Sequence, residues 1–305
     1  MTALDESLPT ANPATAAATV VILRDGAMGP AVLMLRRRQS LADFGGLWAF
    51  PGGKVETADR AYAAWLRSQT PPAVAADLFA TPAESAPSSS VLAAIRETFE
   101  ETGLLFAEGW AAASAERFQR HRSDWQVAVA RDATAFEALM TAETLRPATQ
   151  ALHYWSRWLP PHDIPRRFDT DFFMALAPTD QEPLADLGEA TDVRWVALAD
   201  VASPQLDCAP VTRLALLDLR RRYTQSGSLP ALLAHVQTAP THTIQTCRTE
   251  IHGEAYVLFP WDAAYHTSGG AGDPWTDAEL ADMADLPSRL PIQDGLFRTK
   301  TAPAT

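Results

Sequence analysis

The sequence predicts an α/β fold, on three observations. Runs rich in β-branched, aromatic and apolar residues recur at 20–23, 31–35, 152–160 and 165–175, as strands do. Residues 90–104 carry Leu92, Ile95 and Phe99 at spacings of three and four, the apolar stripe of a helix. Further helical stretches lie at 111–145 and 211–223.

Taken in order, residues 1–16 are rich in Ala, Thr and Pro and are expected to form a disordered tail. Val20-Val21-Ile22-Leu23 reads as a buried strand, Asp25-Gly26 through Gly29-Pro30 as a turn and 31–35 as the return strand. Arg36-Arg37-Arg38 follows, then an apolar strand entering a double-glycine loop at Phe50-Pro51-Gly52-Gly53. A short helix is expected at 58–65 and is broken by Pro71-Pro72. A second helical piece is expected at 74–79, and 82–90 reads as a polar connector. Ser90 can cap the helix that ends at Gly103, which can supply a left-handed residue. Helices are expected at 113–122, 125–131 and 133–145, and strands at 152–160 and 165–175. Residues 197–201 and 211–223 read as helical, with Leu214, Leu216, Leu217 and Leu219 on the apolar face. Beyond 225, a helix at 229–236 and a hairpin about His252-Gly253 precede a tail rich in Asp, Pro and Gly.

The net charge of −12 argues against a general nucleic-acid or anionic-membrane surface. An anionic ligand would need local positive charge, from a metal or from placed arginines. Cys208 and Cys247 have no metal-type spacing and are expected to be buried free thiols. No apolar run approaches the ~20 residues of a membrane span. The first residues include Asp5 and Glu6 and lack a secretory pattern, and 300–305 do not read as a peroxisomal address. The expectation is a soluble cytoplasmic protein, with room for a homodimer.

Glu97, Glu100 and Glu101 stand at i, i+3 and i+4, so their carboxylates share a helix face. Their repulsion destabilises a bare helix. A divalent cation converts it into binding, because hard cations prefer clustered carboxylate oxygens.

Gly53 and the run Arg96-Glu97-Thr98-Phe99-Glu100-Glu101-Thr102-Gly103-Leu104 resemble the Nudix box of pyrophosphate hydrolases. Asp59 stands where the family has Glu, Thr98 where it has a bulky aliphatic, and residues 60–95 where it has seven residues. The insertion, its Ala-Asp-Arg…Trp opening, and the run Trp155-Ser156-Arg157-Trp158…Arg166-Arg167-Phe168-Asp169-Thr170 are similar to the acyl-coenzyme A diphosphatase branch of that family. Of the signature that coenzyme A-cleaving members carry before the box, Leu33, Arg37 and Gly46 match. Arg38 and Ala42 do not.

The resemblance implies an α/β/α sandwich with a mixed sheet. It implies a Nudix domain at 17–225, an insertion at about 60–89, and an extension at 226–305 packed on the domain. Mg²⁺ or Mn²⁺ would be held by Glu97, Glu100, Glu101 and the carbonyl of Gly53, while Arg96 holds the loop through Asp59. Either a metal-held carboxylate (Glu100 or Glu101) or Glu189, in the acidic loop that the family places before a last strand, would take a proton from water. Arg37, Arg166 and Arg167 are candidates for gripping a nucleotide substrate. If extended, Arg166 and Arg167 alternate in direction, so at most one faces the site, and an ion pair with Asp169 or Asp171 is the structural alternative. The substrate implied is coenzyme A or its acyl form. Hydrolysis of ADP-ribose or NADH, or a non-catalytic ligand sensor, are the other readings.

Overall fold

The computed structural model describes residues 13–292, apart from 42–43, 70–87, 162–163, 165, 185–187 and 272–273. In chain order its elements are β1 (Ala14–Gly26), β2 (Gly29–Arg37), β3 (Trp48–Ala49), β4 (Gly52–Lys54), α1 (Thr57–Gln69), α2 (Ser88–Thr102), β5 (Ala107–Glu108), α3 (Ala112–Arg131), α4 (Ala135–Ala142), β6 (Arg146–Pro147), β7 (His153–Leu159), β8 (Arg167–Leu176), β9 (Ala190–Ala197), α5 (Pro210–Ser226), α6 (Leu229–Thr238), β10 (His242–Gln245), β11 (Cys247–Ile251), β12 (Glu254–Leu258), α7 (Asp277–Asp282) and β13 (Arg289–Pro291).

Side chains along β1 and β2 alternate between two apolar cores, as a strand covered on both faces requires. Ala18, Val20, Ile22 and Leu33 pack with Leu92, Ile95 and Phe99 of α2, and α1, α3 and α4 extend that layer. Val21, Leu23, Val32 and Met34 face the other way, onto Leu214, Leu216 and Leu219 of α5 and Leu232 and Val236 of α6. Each such side chain contributes about 1.5–3 kcal/mol of burial. The main sheet runs β10-β7-β8-β1-β2-β3, with β4 added on β1 and β9 on β2. The pairs β1–β8 and β10–β7 are parallel, while β1–β2, β7–β8 and β2–β9 are antiparallel. The result is the expected α/β/α sandwich around a mixed sheet.

Several elements depart from the sequence reading, each for a local reason. β1 starts at Ala14, inside the stretch expected to be a tail, because its small residues pair with β8 from Ala14↔Arg167 onward. Gly52 and Gly53 are not loop but strand, paired to Thr19 and Ala18. α2 starts at Ser88, so Ser90 lies inside the helix, buried, and bonds Asp171 rather than capping. The two helices expected between 113 and 131 are one: Ser123-Asp124 contains no breaker, and Phe118 packs on Phe99. Gln245 and Cys247 belong to different sheets, since β10 extends the main sheet while the hairpin spans 247–258. Beyond 225, Leu229, Val257, Phe259, Met283 and Leu286 share the core under α5, while Cys247, Leu258 and Tyr265 form a small cluster of their own. The helix expected at 74–79, and the connector up to residue 87, lie outside the described residues. Both cysteines are buried and free. Among the described residues, no helix is long and apolar enough to cross a membrane.

Candidate active site

The site is built where α2 crosses β4. Leu92, Ile95 and Phe99 bury one stripe of α2, which turns the glutamate face toward Gly52 and Gly53. Gly103 then ends the helix at φ 67°, and its N–H donates to the Phe99 carbonyl.

Arg96 is the buried pivot, 2% exposed. Its guanidinium donates to both carboxylate oxygens of Asp59 at 2.8 and 2.9 Å and to the Lys54 carbonyl at 3.0 Å. It also pairs with Glu97 at 3.0 Å and Glu100 at 3.2 Å. Burial alone would lower its pKa, but the Asp59 bond and the charges of Glu97, Asp59 and Glu100 outweigh burial and raise it. Asp59 in turn accepts from the Glu56 N–H at 2.8 Å, closing the first turn of α1. One carboxylate thus bonds both the start of α1 and, through Arg96, the Lys54 carbonyl of the strand leading out of Gly53.

Glu97 lies directly over Gly53. A Cβ built on Gly53 would sit 2.5 Å from the Glu97 carboxylate, so a side chain there would push that carboxylate away. Glu101 is buried, and one of its oxygens accepts from the Gly52 N–H at 2.8 Å. Burial raises the pKa of both acids. For Glu97 the Arg96 guanidinium opposes the rise, while Asp59 and Glu189 add to it. For Glu101 the charge of Glu97 is the next cause, with Glu189 adding and the Gly52 bond and Arg37 opposing. Glu189 and Arg37 therefore act electrostatically on the same spot. The structure brings them there because β9 pairs with β2 through Arg37↔Ala190, and the Arg38 N–H donates to the Glu189 carbonyl at 2.7 Å.

The other candidates fall differently. Glu100, like Glu97, turns its carboxylate onto Arg96. Among the described residues, no three His, Cys, Asp or Glu converge as a ready cation cage. Arg167 is buried and donates to the Pro160 carbonyl at 3.3 and 3.1 Å, so its guanidinium anchors the entry to β8. Arg166 is exposed just before β8. Asp169 is held instead by Arg157, at 2.6 and 2.5 Å, and Asp171 accepts from the Tyr154 hydroxyl at 3.1 Å. This network was not legible in the sequence. The pairing of β7 with β8 that creates it leaves no short-range signal.

A divalent cation fits the donor chemistry of the Glu97–Glu101–Gly53 corner. Two desolvated carboxylates repel one another there, against a backbone stripped of its side chain. An ion binding Glu97 or Glu100 would compete with Arg96 for them.

The NUDT19 Nudix domain family matches residues 66–206 of this chain. The chain is 27% identical over 197 residues to the acyl-coenzyme A diphosphatase NUDT19 of Xenopus laevis, covering 54% of this chain and 52% of the relative. It thus spans about half the length of that curated relative. In fold it is similar to a Nudix hydrolase from Alicyclobacillus acidocaldarius, with a TM-score of 0.58 and 23% identity over 75% of this chain and 99% of the other. The glutamate helix laid across a paired Gly-Gly strand, the buried Arg96–Asp59 brace and these matches agree, and together they support a Nudix hydrolase of the NUDT19 type.

Proposed function

We propose that this protein hydrolyses the pyrophosphate bond of a nucleoside diphosphate derivative with the aid of Mg²⁺ or Mn²⁺, and that coenzyme A or an acyl-coenzyme A is the substrate. The observation that carries the reading is the pair of mutually repelling carboxylates over Gly53, the half-buried Glu97 and the buried Glu101, with Glu189 acting on both and Arg37 on Glu101.

A pyrophosphate link is inert because its negative charge turns nucleophiles away. A bound divalent ion supplies neutralisation of phosphate oxygens and a more acidic water. Glu97, Glu101 and the Gly53 carbonyl would hold that ion, with Glu100 available if Arg96 releases it. The charge of Arg37 acts on Glu101, and its guanidinium is suited to hold a phosphate oxygen. A carboxylate oxygen of Glu189 or of Glu101 would accept the proton of the attacking water. Arg96 and Asp59 keep the Gly53 strand in place and do no chemistry. The products would be 3′,5′-ADP and 4′-phosphopantetheine or its acyl form.

The choice of coenzyme A rests on the similarity to an acyl-coenzyme A diphosphatase and on Leu33, Arg37 and Gly46 of the pre-box signature. The alternative substrates are ADP-ribose and NADH, because Ala42 departs from that signature. A sensor is disfavoured because Glu97, Glu100 and Glu101 are all retained. Incubation with Mg²⁺ and a panel of coenzyme A, acyl-coenzyme A, ADP-ribose and NADH, followed by mass spectrometry, tests the proposal. The expected products are 3′,5′-ADP and the phosphopantetheine half. Rapid cleavage of ADP-ribose or NADH with coenzyme A intact rejects the substrate, and no cleavage of any member rejects the activity.

A further inference from the structure

We infer that Asp171 is a positioning residue for the site: through Ser90 it sets where α2 lies along its own axis, and so where Glu97 and Glu101 stand over Gly53 and Gly52. This rests on the pyrophosphohydrolase reading above, which supplies the task of those carboxylates. Asp171 of β8, Ala18 of β1 and Gly53 of β4 are register partners across three neighbouring strands. All three face α2. Asp171 accepts from the Ser90 hydroxyl, Ala18 lies in the core beneath the helix, and a Cβ on Gly53 would meet the Glu97 carboxylate.

The spacings of helix and sheet agree. Ser90 and Glu97 are seven residues apart on one face of α2, about 10 Å along its axis. Two strand gaps also span about 10 Å. α2 therefore lies across the strands, with Ser90 over β8 and Glu97 over β4.

Leu92, Ile95 and Phe99 hold α2 down, but apolar contact is non-directional and leaves the position along the axis open. Polar ties close it. Arg96 donates to the Lys54 carbonyl and Glu101 accepts from the Gly52 N–H, yet both ties lie inside the site, where a bound ion would compete for the same groups. Gln126 and the Leu184 N–H donate to the carbonyls of Glu100 and Thr102, which links α2 to α3 and to segment 181–184 rather than to the sheet. The Ser90–Asp171 bond ties the helix to the sheet two turns away from the site. Asp171 is in turn held from β7 by the Tyr154 hydroxyl at 3.1 Å. Burial raises its pKa, against both hydroxyl bonds and the Arg157 charge. The fold thus keeps a desolvated acid where an apolar side chain would cost less.

The test takes Ser90→Ala, Asp171→Ala, their double variant and Asp171→Asn. It reads Mn²⁺ binding by calorimetry, kcat and KM for the panel member that is cleaved, and the melting temperature. Ser90→Ala and Asp171→Ala are each expected to lower kcat about tenfold or more, the scale of a small misplacement of reacting groups, with KM within about twofold and Mn²⁺ bound severalfold more weakly. The double variant is expected to lose no more than the worse single, because both act through one contact. Asparagine still accepts from both hydroxyls, so Asp171→Asn is expected to stay within about threefold of wild type in kcat and Mn²⁺ affinity. Wild-type kcat and Mn²⁺ affinity in Ser90→Ala, whatever its melting temperature, overturn the positioning role alone. Losses that multiply in the double variant, or an Asp171→Asn protein as impaired as Asp171→Ala, also overturn it. Failure of the wild-type protein to cleave any panel member overturns the underlying hydrolase reading as well.

Discussion

The chain treats its carboxylates in two opposite ways. In the C-terminal third, Asp262 is almost fully buried, yet it accepts from Arg289 at 2.7 Å through both oxygens, from Ser288 at 2.8 Å and from the Ala264 N–H at 2.9 Å. Burial tends to raise its pKa, but those bonds and the Arg289 charge outweigh it and lower the pKa. Asp282 is likewise lowered against its burial, by Arg221 at 3.0 Å and Arg222 at 2.8 Å. Glu101 is also buried and has the opposite outcome: one backbone bond, two repelling acids, Arg37 as the opposing charge, and a raised pKa. Where the fold supplies counter-charges, the acid fastens segments together. Where it outweighs them with burial and neighbouring acids, as at Glu101, the acid suits the ligand role proposed above. The difference marks function more clearly than burial or acidity alone.

The largest effect that would test this contrast is Glu101→Gln. Glutamine keeps the shape and can still accept from the Gly52 N–H, but it removes the charge. The expected outcome is a loss of pyrophosphate hydrolysis of about 10²–10³-fold, the scale on which removal of a charge-stabilising group acts. Stability should hold or rise, because the variant no longer buries a charge facing Glu97. Undiminished hydrolysis would break the contrast on its functional side. Wild-type hydrolysis rates and calorimetric melting, measured in parallel, give both readouts.

Asp262→Asn is the matching change in the structural set. It should cost about 2 kcal/mol of stability, the scale of losing charge-assisted bonds to a buried acid, and leave hydrolysis per folded molecule unchanged. The sign with pH follows from the lowered pKa. The unfolded acid titrates near 3.9, so Asp262 contributes its stability above that value and loses it as pH falls through the lower folded value. Urea midpoints taken from about pH 6 down to about pH 3 should therefore converge for wild type and variant at the acid end. The raised acids run the other way, since the penalty of Glu101 fades as pH falls through its raised value. A constant gap across the series would show that Asp262 acts through packing rather than charge.

How much of this was readable without coordinates depended on range. The β1–β2 hairpin was legible because Asp25-Gly26 and Gly29-Pro30 are local turn signals. The α2 helix was legible because its stripe, its glutamates and Gly103 lie within one segment. The Asp59–Arg96 brace came through resemblance alone, since no spacing rule links residues across an insertion. Parallel pairing of β10 with β7, from His242↔Ser156, has no local signature and was missed. The turning of Glu100 toward Arg96 was missed for a different reason: i+3 and i+4 spacing fixes the face a side chain leaves from, not the partner it finds. The left-handed backbone of Phe44 was not legible, because such a conformation shows in sequence only when glycine or asparagine occupies it.

The smallest effect concerns a polar group that neither pattern explains. Thr98 is fully buried on α2, next to Glu97, and its hydroxyl has no hydrogen-bond partner among the described residues. Its backbone carbonyl is used, accepting from the Thr102 hydroxyl at 2.5 Å. Thr98→Val keeps the branched shape and a comparable helix propensity and removes only the orphaned hydroxyl. The expected gain is about 1 kcal/mol, read as a higher urea midpoint, with hydrolysis changed less than about twofold. Valine also approaches the bulky aliphatic that the family places at this position. A lower midpoint would mean that the hydroxyl is satisfied in solution, by water or by the Ala94 carbonyl one turn back. A large fall in hydrolysis at unchanged stability would mean that Thr98 helps set the orientation of Glu97, extending the ligand-directed set one residue beyond the acids.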